Sequence, residues 1–431
     1  MLTFGTDGVR GRALTELTPA DVAALGRAAG AVLGRGDWLI GRDPRESGPA
    51  LAAAFAGGLD ASVRDLGVVP TPVVAFWSQR LGVPAAVVTA SHNPWHDNGV
   101  KVFAPGGLKL ADDVEQAIEA ELGVPLTAAT ELPAEMPGAA DAYVDHLAAM
   151  FEPDALGGLR IVLDCANGAV SEVAARPFLA VGAMVSLIHA APDGRNINEQ
   201  CGATAPGSLC AAVVEQGADL GLAFDGDGDR VIAVDHLGNV VDGDRLLALA
   251  ALQLRDEGRL RDDTVVVTVM SNLGFRHAMD AAGIHVVETG VGDRYVLEAL
   301  DTGGWSIGGE QSGHIIYRDL ATTGDGILAG LRLAADVVRQ ARPLADMAGR
   351  VMTSYPQVLV NVRVAERHPN VADELAAEIA DAESRLHDDG RILVRASGTE
   401  PLVRVMVEAA TADLAQQTAD DLATVVRARF A

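Results

Sequence analysis

Short apolar runs alternate with helix-like stretches along most of the chain, and three regions repeat the same order of events. "DWLIGRDPRESG" (37–48), "LRIVLDCANGAV" (159–170) and "DTVVVTVMSNLGF" (263–275) each read as a strand that runs into a polar loop. In each region a helix-like segment follows, then a second strand, in "VRDLGVVPTP", "VGAMVSLIHAAPDG" and "AAGIHVVETGVGD". A further strand then stops abruptly in a polar loop: "AAVVTASHNP", "LGLAFDGDGDR" and "GWSIGGEQSGH". Strands alternating with helices predict α/β domains with mixed, largely parallel sheets. Recurrence at intervals of roughly a hundred residues argues for three related domains, placed at 1–150, 151–248 and 249–358.

The remainder has a different rhythm. "VLVNVRVA" alternates as a strand does, "VADELAAEIADAESRL" reads as one amphipathic helix, and "RILVRASGTEPLVRVMVEA" as a two-strand hairpin before a closing helix. This predicts a small α+β domain over 359–431, with linkers at 123–138 and 342–356. Near the start, Thr18 as N-cap and Pro19 at the first helical position mark the opening of an Ala-rich helix. In open α/β sheets, ligands bind beyond the carboxyl ends of strands. The polar loops are therefore where sites are expected.

Charge narrows the partners. Asp and Glu total 59 against 33 Lys and Arg, a formal charge of −26, which disfavours nucleic acid and anionic membrane surfaces. An anionic substrate would need a local basic pocket or a bound cation. No apolar run is long enough and charge-free enough to span a bilayer, and "MLTFGTDGVRG" lacks the features of a signal peptide. Cys165, Cys201 and Cys210 are too few and too irregular for a disulfide framework or a zinc ribbon. They are expected as reduced residues of a cytoplasmic protein.

The sharpest chemical signal is "DGDGDR" (225–230), where Asp225, Asp227 and Asp229 alternate with glycines. Such a loop can wrap three carboxylates around one hard cation. It is not an EF-hand, because Arg230 and His236 stand where that loop requires Gly and Glu. With three carboxylates, magnesium keeps positions open for a phosphate oxygen. Ser91 follows a strand and precedes Pro94; alone it reads as an ordinary turn residue. Beside a divalent cation its hydroxyl can carry a phosphoryl group. Asp97-Asn98-Gly99 predicts a tight reversal that returns Lys101 toward Ser91. "RASGTEP" (395–401), with Arg404 beyond it, has the guanidinium, hydroxyl and backbone donors that phosphate recognition needs. "GEQSGH" (309–314) offers Glu310, Ser312 and His314 for sugar hydroxyls and proton movement, a reading that a plain turn would also satisfy.

Together, T-A-S-H-N-P at 89–94, D-G-D-G-D-R at 225–230, G-E-Q-S-G-H at 309–314 and R-A-S-G-T-E-P at 395–401 resemble the α-D-phosphohexomutase superfamily. "FGTDGVRG" (4–11), "VGDRYV" (291–296) and Gln311 look like its glucosamine-handling branch. The resemblance spans nearly the whole chain and implies a four-domain architecture around a central cleft. It also implies interconversion of glucosamine 6-phosphate and glucosamine 1-phosphate through a phosphoserine and glucosamine 1,6-bisphosphate, in the synthesis of amino-sugar precursors of the cell wall. Ser91 would be the phosphoserine, and Asp225, Asp227 and Asp229 would hold one Mg2+ per subunit with its phosphate. Lys101 and His314 are the acid/base candidates, with Arg230 and Arg10 beside the reacting phosphate. Thr6, Asp293, Arg294, Glu310 and Ser312 would meet the substrate. Arg395, Ser397, Gly398, Thr399 and Arg404 would hold its non-reacting phosphate. The family is compatible with a homodimer. The alternatives are the mannose- and glucose-handling branch of the superfamily, and a non-catalytic sugar-phosphate-binding protein.

Overall fold

The computed structural model describes residues 2–5, 7–397 and 401–430. The chain forms two compact units, one of Met1–Met270 with Ile284–Val351, the other of Ser271–Gly283 with Met352–Ala431.

The first unit holds three sheets of one design. Sheet one contains β1 (Val9–Arg12), β2 (Asp37–Arg42), β3 (Ser62–Val68), β4 (Ala85–Val88), β5 (Asp97–Ala104) and β6 (Leu108–Lys109) in the order β1-β5-β4-β2-β3, with β6 also on β5. Sheet two contains β7 (Arg160–Asp164), β8 (Met184–Ile188), β9 (Leu220–Phe224), β10 (Val231–Asp235) and β11 (Val240–Val241), in the order β11-β10-β9-β7-β8. Sheet three contains β12 (Thr264–Thr268), β13 (His285–Thr289), β14 (Ile307–Gly309) and β15 (Ile315–Tyr317), in the order β13-β12-β14-β15. In every case the first strand of the repeat is flanked by two parallel neighbours, and an antiparallel strand then pairs with the third. The switch from parallel to antiparallel occurs at β4–β5, β9–β10 and β14–β15. Those three connections are the Ser91, Asp225–Arg230 and Glu310–His314 loops. The repeat read from hydrophobic rhythm is thus a repeat of topology, and it puts one polar loop at the same place in each sheet.

Burial explains why these segments read so strongly. β4 and β9 are buried along their whole length, as strands covered on both faces must be. Helix Pro19–Leu33 opens as expected, with Thr18 Oγ1 accepting from Asp21 N–H at 3.2 Å. It packs on helix Gly48–Gly58, buried at Gly48 and from Leu51 to Ala56, and their core includes Trp38 and Phe55.

Asp97-Asn98-Gly99 departs from expectation. It is not a turn but the first part of β5, where Asp97, Asn98 and Gly99 pair with Arg12, Gly11 and Arg10. Asn98 is buried and donates to Ser47 Oγ at 2.9 Å. A Cβ on Gly99 would meet Thr89 O and Val9 O at 2.7 Å, so glycine here permits close strand approach rather than a reversal. Lys101 still returns, because β5 runs antiparallel to β4 and pairs Lys101 with Val87. Part of the expected linker at 342–356 is a helix, Leu344–Val351.

The second unit contains β16 (Gln357–Arg363), β17 (Arg391–Ala396) and β18 (Leu402–Glu408), antiparallel in the order β16-β18-β17 under the closing helix Ala412–Phe430. The amphipathic stretch after β16 is divided into Val371–Glu374 and Ala376–Leu386, with Leu375 leaving helical geometry at φ −109° and ψ 15°. Helix Leu273–Ala281 belongs to this unit although it follows β12 in sequence. Leu273 N–H donates to buried Glu408 at 3.1 Å, and Arg391 donates to Ser271 O at 2.8 Å.

Candidate active site

Ser91 sits at the carboxyl end of β4 in the left-handed region, at φ 51° and 1 % exposure. Non-glycine residues seldom adopt that conformation, and its cost is met by surrounding contacts. Ser91 N–H donates to Thr89 Oγ1 at 2.9 Å, while Ser91 O accepts from Arg45 Nη2 at 3.0 Å and from Asn198 Nδ2 at 2.9 Å. Arg45 is fully buried. It pairs with Asp43 at 2.8 Å and also donates to the carbonyls of Asn93, Pro94 and Asp97. One planar guanidinium thus ties together the loop that carries the serine.

The Asp225–Arg230 loop approaches from sheet two. Gly226 lies so close that a Cβ would meet Ser91 O at 2.5 Å, so glycine is the residue the approach allows. Ser91 Oγ donates to Asp225 Oδ2 at 2.6 Å. Thr71 Oγ1 donates to Asp227 Oδ2 at 2.6 Å, and Thr71 N–H to Asp227 O at 2.8 Å. Lys101 Nζ stands 2.9 Å from Asp227 Oδ2, 2.8 Å from Asp229 Oδ2 and 2.7 Å from Asp7 Oδ2.

Asp225, Asp227 and Asp229 are buried, and one carboxylate oxygen from each lies within 4.8 Å of the others. Asp227 Oδ1 and Asp229 Oδ1 are buried without a hydrogen-bond partner. Burial, then repulsion from Asp229 and Asp227, pushes the Asp225 carboxyl well above its ordinary range. Burial also opposes charge on Asp229, but Lys101, His314 and Arg230 hold it well below that range. Burial likewise works against Lys101, yet Asp227, Asp229 and Asp7 keep its ammonium charged. An all-oxygen donor set with unpaired carboxylate lone pairs suits a hard divalent cation. The residues therefore fit magnesium.

A second line of alternating charge leads away from this cluster. Arg10 Nη2 donates to Asp7 Oδ2 at 2.7 Å. Lys109 Nζ bridges Asp7 and Asp293. Asp293 Oδ2 stands 3.3 Å from His314 Nε2, and His314 Nδ1 stands 3.5 Å from Asp229 Oδ1. Burial opposes protonation of His314, but Asp229 and Asp293 outweigh it and raise its pKa. Arg230 N–H donates to Asp225 Oδ1 at 3.2 Å, and its side chain reaches Asp229. His92, 3.2 Å from Ser91 Oγ, is pushed down to about 4 by burial and by Arg230 and Arg10, so it is neutral at physiological pH.

Glu310, Ser312 and Arg294 have further partners within the first unit. Glu310 accepts from Gly292 N–H at 3.2 Å and from Ser312 Oγ at 3.3 Å. Arg294 directs its hydrogen bonds to Glu115, Asp112 and Gly5 O. In the second unit Arg395 lies directly across from Arg404 in the β17–β18 ladder. Burial and the Arg404 charge lower the Arg395 pKa, an arrangement that favours a bound anion. Ser397 is buried, its N–H bonded to Leu402 O at 2.8 Å. Thr6, Gly398 and Thr399 lie outside the described residues. Sequence reasoning missed Arg45, Asp43, Asp7, Lys109, Thr71 and Asn198. Asp7 was visible within "FGTDGVRG" and Arg45 within the polar loop after β2, but nothing local distinguished them from ordinary loop charges.

Comparison with known proteins agrees with this geometry. Four family models match in order: the phosphoglucomutase/phosphomannomutase alpha/beta/alpha domains I (1–124), II (141–238) and III (242–355), and the C-terminal domain (359–425). The chain belongs to the phosphoglucomutase/phosphomannomutase family and is an isomerase that transfers a phosphoryl group within its substrate. Within that family it is 51 % identical over 450 residues to the phosphoglucosamine mutase of Kineococcus radiotolerans, covering 99 % of each chain. A phosphoglucomutase/phosphomannomutase family protein from Burkholderia thailandensis superposes with a TM-score of 0.80 at 25 % identity, over 98 % of this chain and 97 % of that one. The N-acetylphosphoglucosamine mutase of Aspergillus fumigatus, solved in complex with GlcNAc-6P and magnesium, shares the fold with a TM-score of 0.72 at 21 % identity, over 99 % and 96 %. Among the described residues no helix is long and apolar enough to cross a membrane.

Proposed function

We propose that the protein interconverts glucosamine 6-phosphate and glucosamine 1-phosphate in the cytoplasm, with phosphorylated Ser91 as donor and acceptor. The observation that carries this reading is the 2.6 Å hydrogen bond from Ser91 Oγ to Asp225 inside a buried three-carboxylate loop. Full-length similarity to phosphoglucosamine mutases supports the choice of sugar. In this reading residues 1–150 carry the phosphoserine, 151–248 the metal-holding carboxylates, 249–358 the sugar-recognition loop and 359–431 the phosphate pocket.

The phosphoryl group passes from Ser91 to the sugar 1-hydroxyl, whose proton is taken up as the Ser91 oxygen is released. The resulting glucosamine 1,6-bisphosphate turns end over end, and Ser91 regains a phosphoryl group from the 6-position. Asp225, Asp227 and Asp229 would hold Mg2+ together with the Ser91 phosphate, and the bound ion offsets phosphoryl charge. Lys101 and Arg230 add positive charge beside the transferring group, where electrostatic stabilisation and positioning dominate. Arg10 anchors Asp7, which in turn holds Lys101. His314 holds the proton at Nδ1, which faces Asp229, while Nε2 accepts from Gly324 N–H at 3.1 Å. Glu310, Ser312, Asp293 and Arg294 orient the sugar, and Arg395, Ser397 and Arg404 grip the phosphate that is not reacting. Comparing kcat/KM for glucosamine 6-phosphate, mannose 6-phosphate and glucose 6-phosphate tests the substrate. A preference for either neutral sugar would overturn the glucosamine assignment while leaving the phosphoryl chemistry intact.

A further inference from the structure

Apart from the Asp225–Asp229 loop, the described residues contain one other group of three metal-ligating side chains: Asp164, His189 and Cys201. Asp164 ends β7, His189 directly follows β8, and Cys201 lies in the connection leading to helix Gly207–Gln216. A carboxylate oxygen, a ring nitrogen and Cys201 Sγ lie within 4.8 Å of one another. Asp164 and Cys201 are fully buried, while 31 % of the His189 side chain is exposed and offers a way in.

The contacts are those of a prepared ligand set. Asp164 Oδ1 accepts from Ala166 N–H at 2.9 Å and Oδ2 from Gly202 N–H at 2.9 Å, which fixes the carboxylate and leaves lone pairs free. His189 Nδ1 is 3.1 Å from Asp164 Oδ1, yet that nitrogen is buried without a hydrogen bond. A ring nitrogen this close to a carboxylate oxygen calls for a proton or a cation between them. His189 is held there at φ 48°, in the strained left-handed region.

We propose that Asp164, His189 and Cys201 bind a borderline-soft divalent cation, Zn2+ foremost, with water completing four-coordination. Thiolate with imidazole and one carboxylate is a zinc-type donor set, whereas magnesium prefers oxygen ligands alone. The thiol proton leaves to solvent as the metal binds. The ion would fasten both ends of the 189–201 segment to β7. That segment carries Asn198, which donates to Ser91 O at 2.9 Å and Asn93 O at 3.1 Å. The metal would thereby brace the serine loop from behind.

The test uses the full chain, stripped with chelator, returned to excess Mg2+ and titrated with Co2+ or Zn2+. Wild type should take up about one equivalent of Co2+ with a near-ultraviolet sulfur-to-cobalt charge-transfer band, and Zn2+ should raise its Tm. Cys201→Ser should abolish the band and the Tm shift, whereas Cys165→Ser should keep both. His189→Gln, at a partly exposed position, should weaken Co2+ binding by at least about tenfold. No band in wild type, a band that survives Cys201→Ser, or unchanged affinity in His189→Gln would each overturn the proposal. The last outcome decides the matter even if Cys201→Ser folds poorly.

Discussion

Ser91 Oγ lies 2.6 Å from Asp225 Oδ2, joining the parallel-to-antiparallel turn of one sheet to the equivalent turn of the next. Ser91→Ala removes the only atom at this position able to carry a phosphoryl group. Turnover of glucosamine 6-phosphate should fall by roughly three orders of magnitude or more. Stability should change by no more than about 1–3 kcal/mol, the range for one buried hydrogen-bond partner. Steady-state kinetics and intact mass, which should show no phosphoryl adduct at that site, check both points.

Lys101 Nζ is shared by the carboxylates of Asp7, Asp227 and Asp229. Lys101→Met removes the counter-charge these buried carboxylates share, leaving Asp7 to Arg10 and Lys109 and Asp229 to His314 and Arg230, so activity should be lost and metal-free stability should fall by about 3–5 kcal/mol. Because the remaining charge attracts a cation more strongly, Mg2+ should raise the Tm of the variant further than that of wild type. Calorimetric scans with and without Mg2+ measure the difference.

Arg45 is expected to matter through position rather than chemistry. Arg45→Ala strands the buried Asp43 carboxylate and four loop carbonyls, at a cost of about 3–5 kcal/mol. Arg45→Lys should recover little, since an ammonium cannot reproduce the planar fork. Urea unfolding of the two variants would read this directly, and near-wild-type stability in the lysine variant would count against the fork.

Asp325 gives a pH signature of its own. It caps helix Gly326–Gln340 and accepts from Tyr143 Oη, and burial pushes its carboxyl from 3.8 up to about 6. Between those values the folded state binds more protons than the unfolded chain, so this group lowers stability as pH rises through the interval. Asp325→Asn keeps an N-cap and an acceptor for Tyr143 while removing the ionisation. The stability of the Asn variant relative to wild type should increase from about pH 4 to pH 6 and then level off. Urea unfolding across that range would show a flat difference if Asp325 did not titrate there.

Arg395 and Arg404 face each other across two strands. Arg395→Ala should raise KM by about ten- to a hundredfold, the equivalent of one charge-assisted hydrogen bond. Relief of the like-charge pair should leave Tm unchanged or slightly higher. An unaltered KM would remove Arg395 from the phosphate pocket.

Much of this was legible in the chain itself. β4 and β9 are apolar throughout because both faces are covered, and Thr18-Pro19 opens a helix because its donors are met locally. The DGDGD spacing announces a cation loop because chemistry and sequence neighbourhood coincide there. Asp97-Asn98-Gly99 misled because its composition suits a turn equally well, and only strand pairing reveals the glycine as a place of close approach. Arg45, Asp7 and Lys109 were silent for a different reason. Their partners are fixed by the folding of distant segments, as Lys109 shows in bridging Asp7 and Asp293.

The amino-acid order by itself determined the elements, the threefold rhythm and the loops rich in reactive groups, because these follow from local preferences and burial periodicity. Tertiary structure decided which charges meet. Lys101 acquires its three carboxylates, and Ser91 its Asp225, only when separate sheets place their equivalent turns together. Electrostatic energy depends on distance and burial, and neither is encoded in sequence separation.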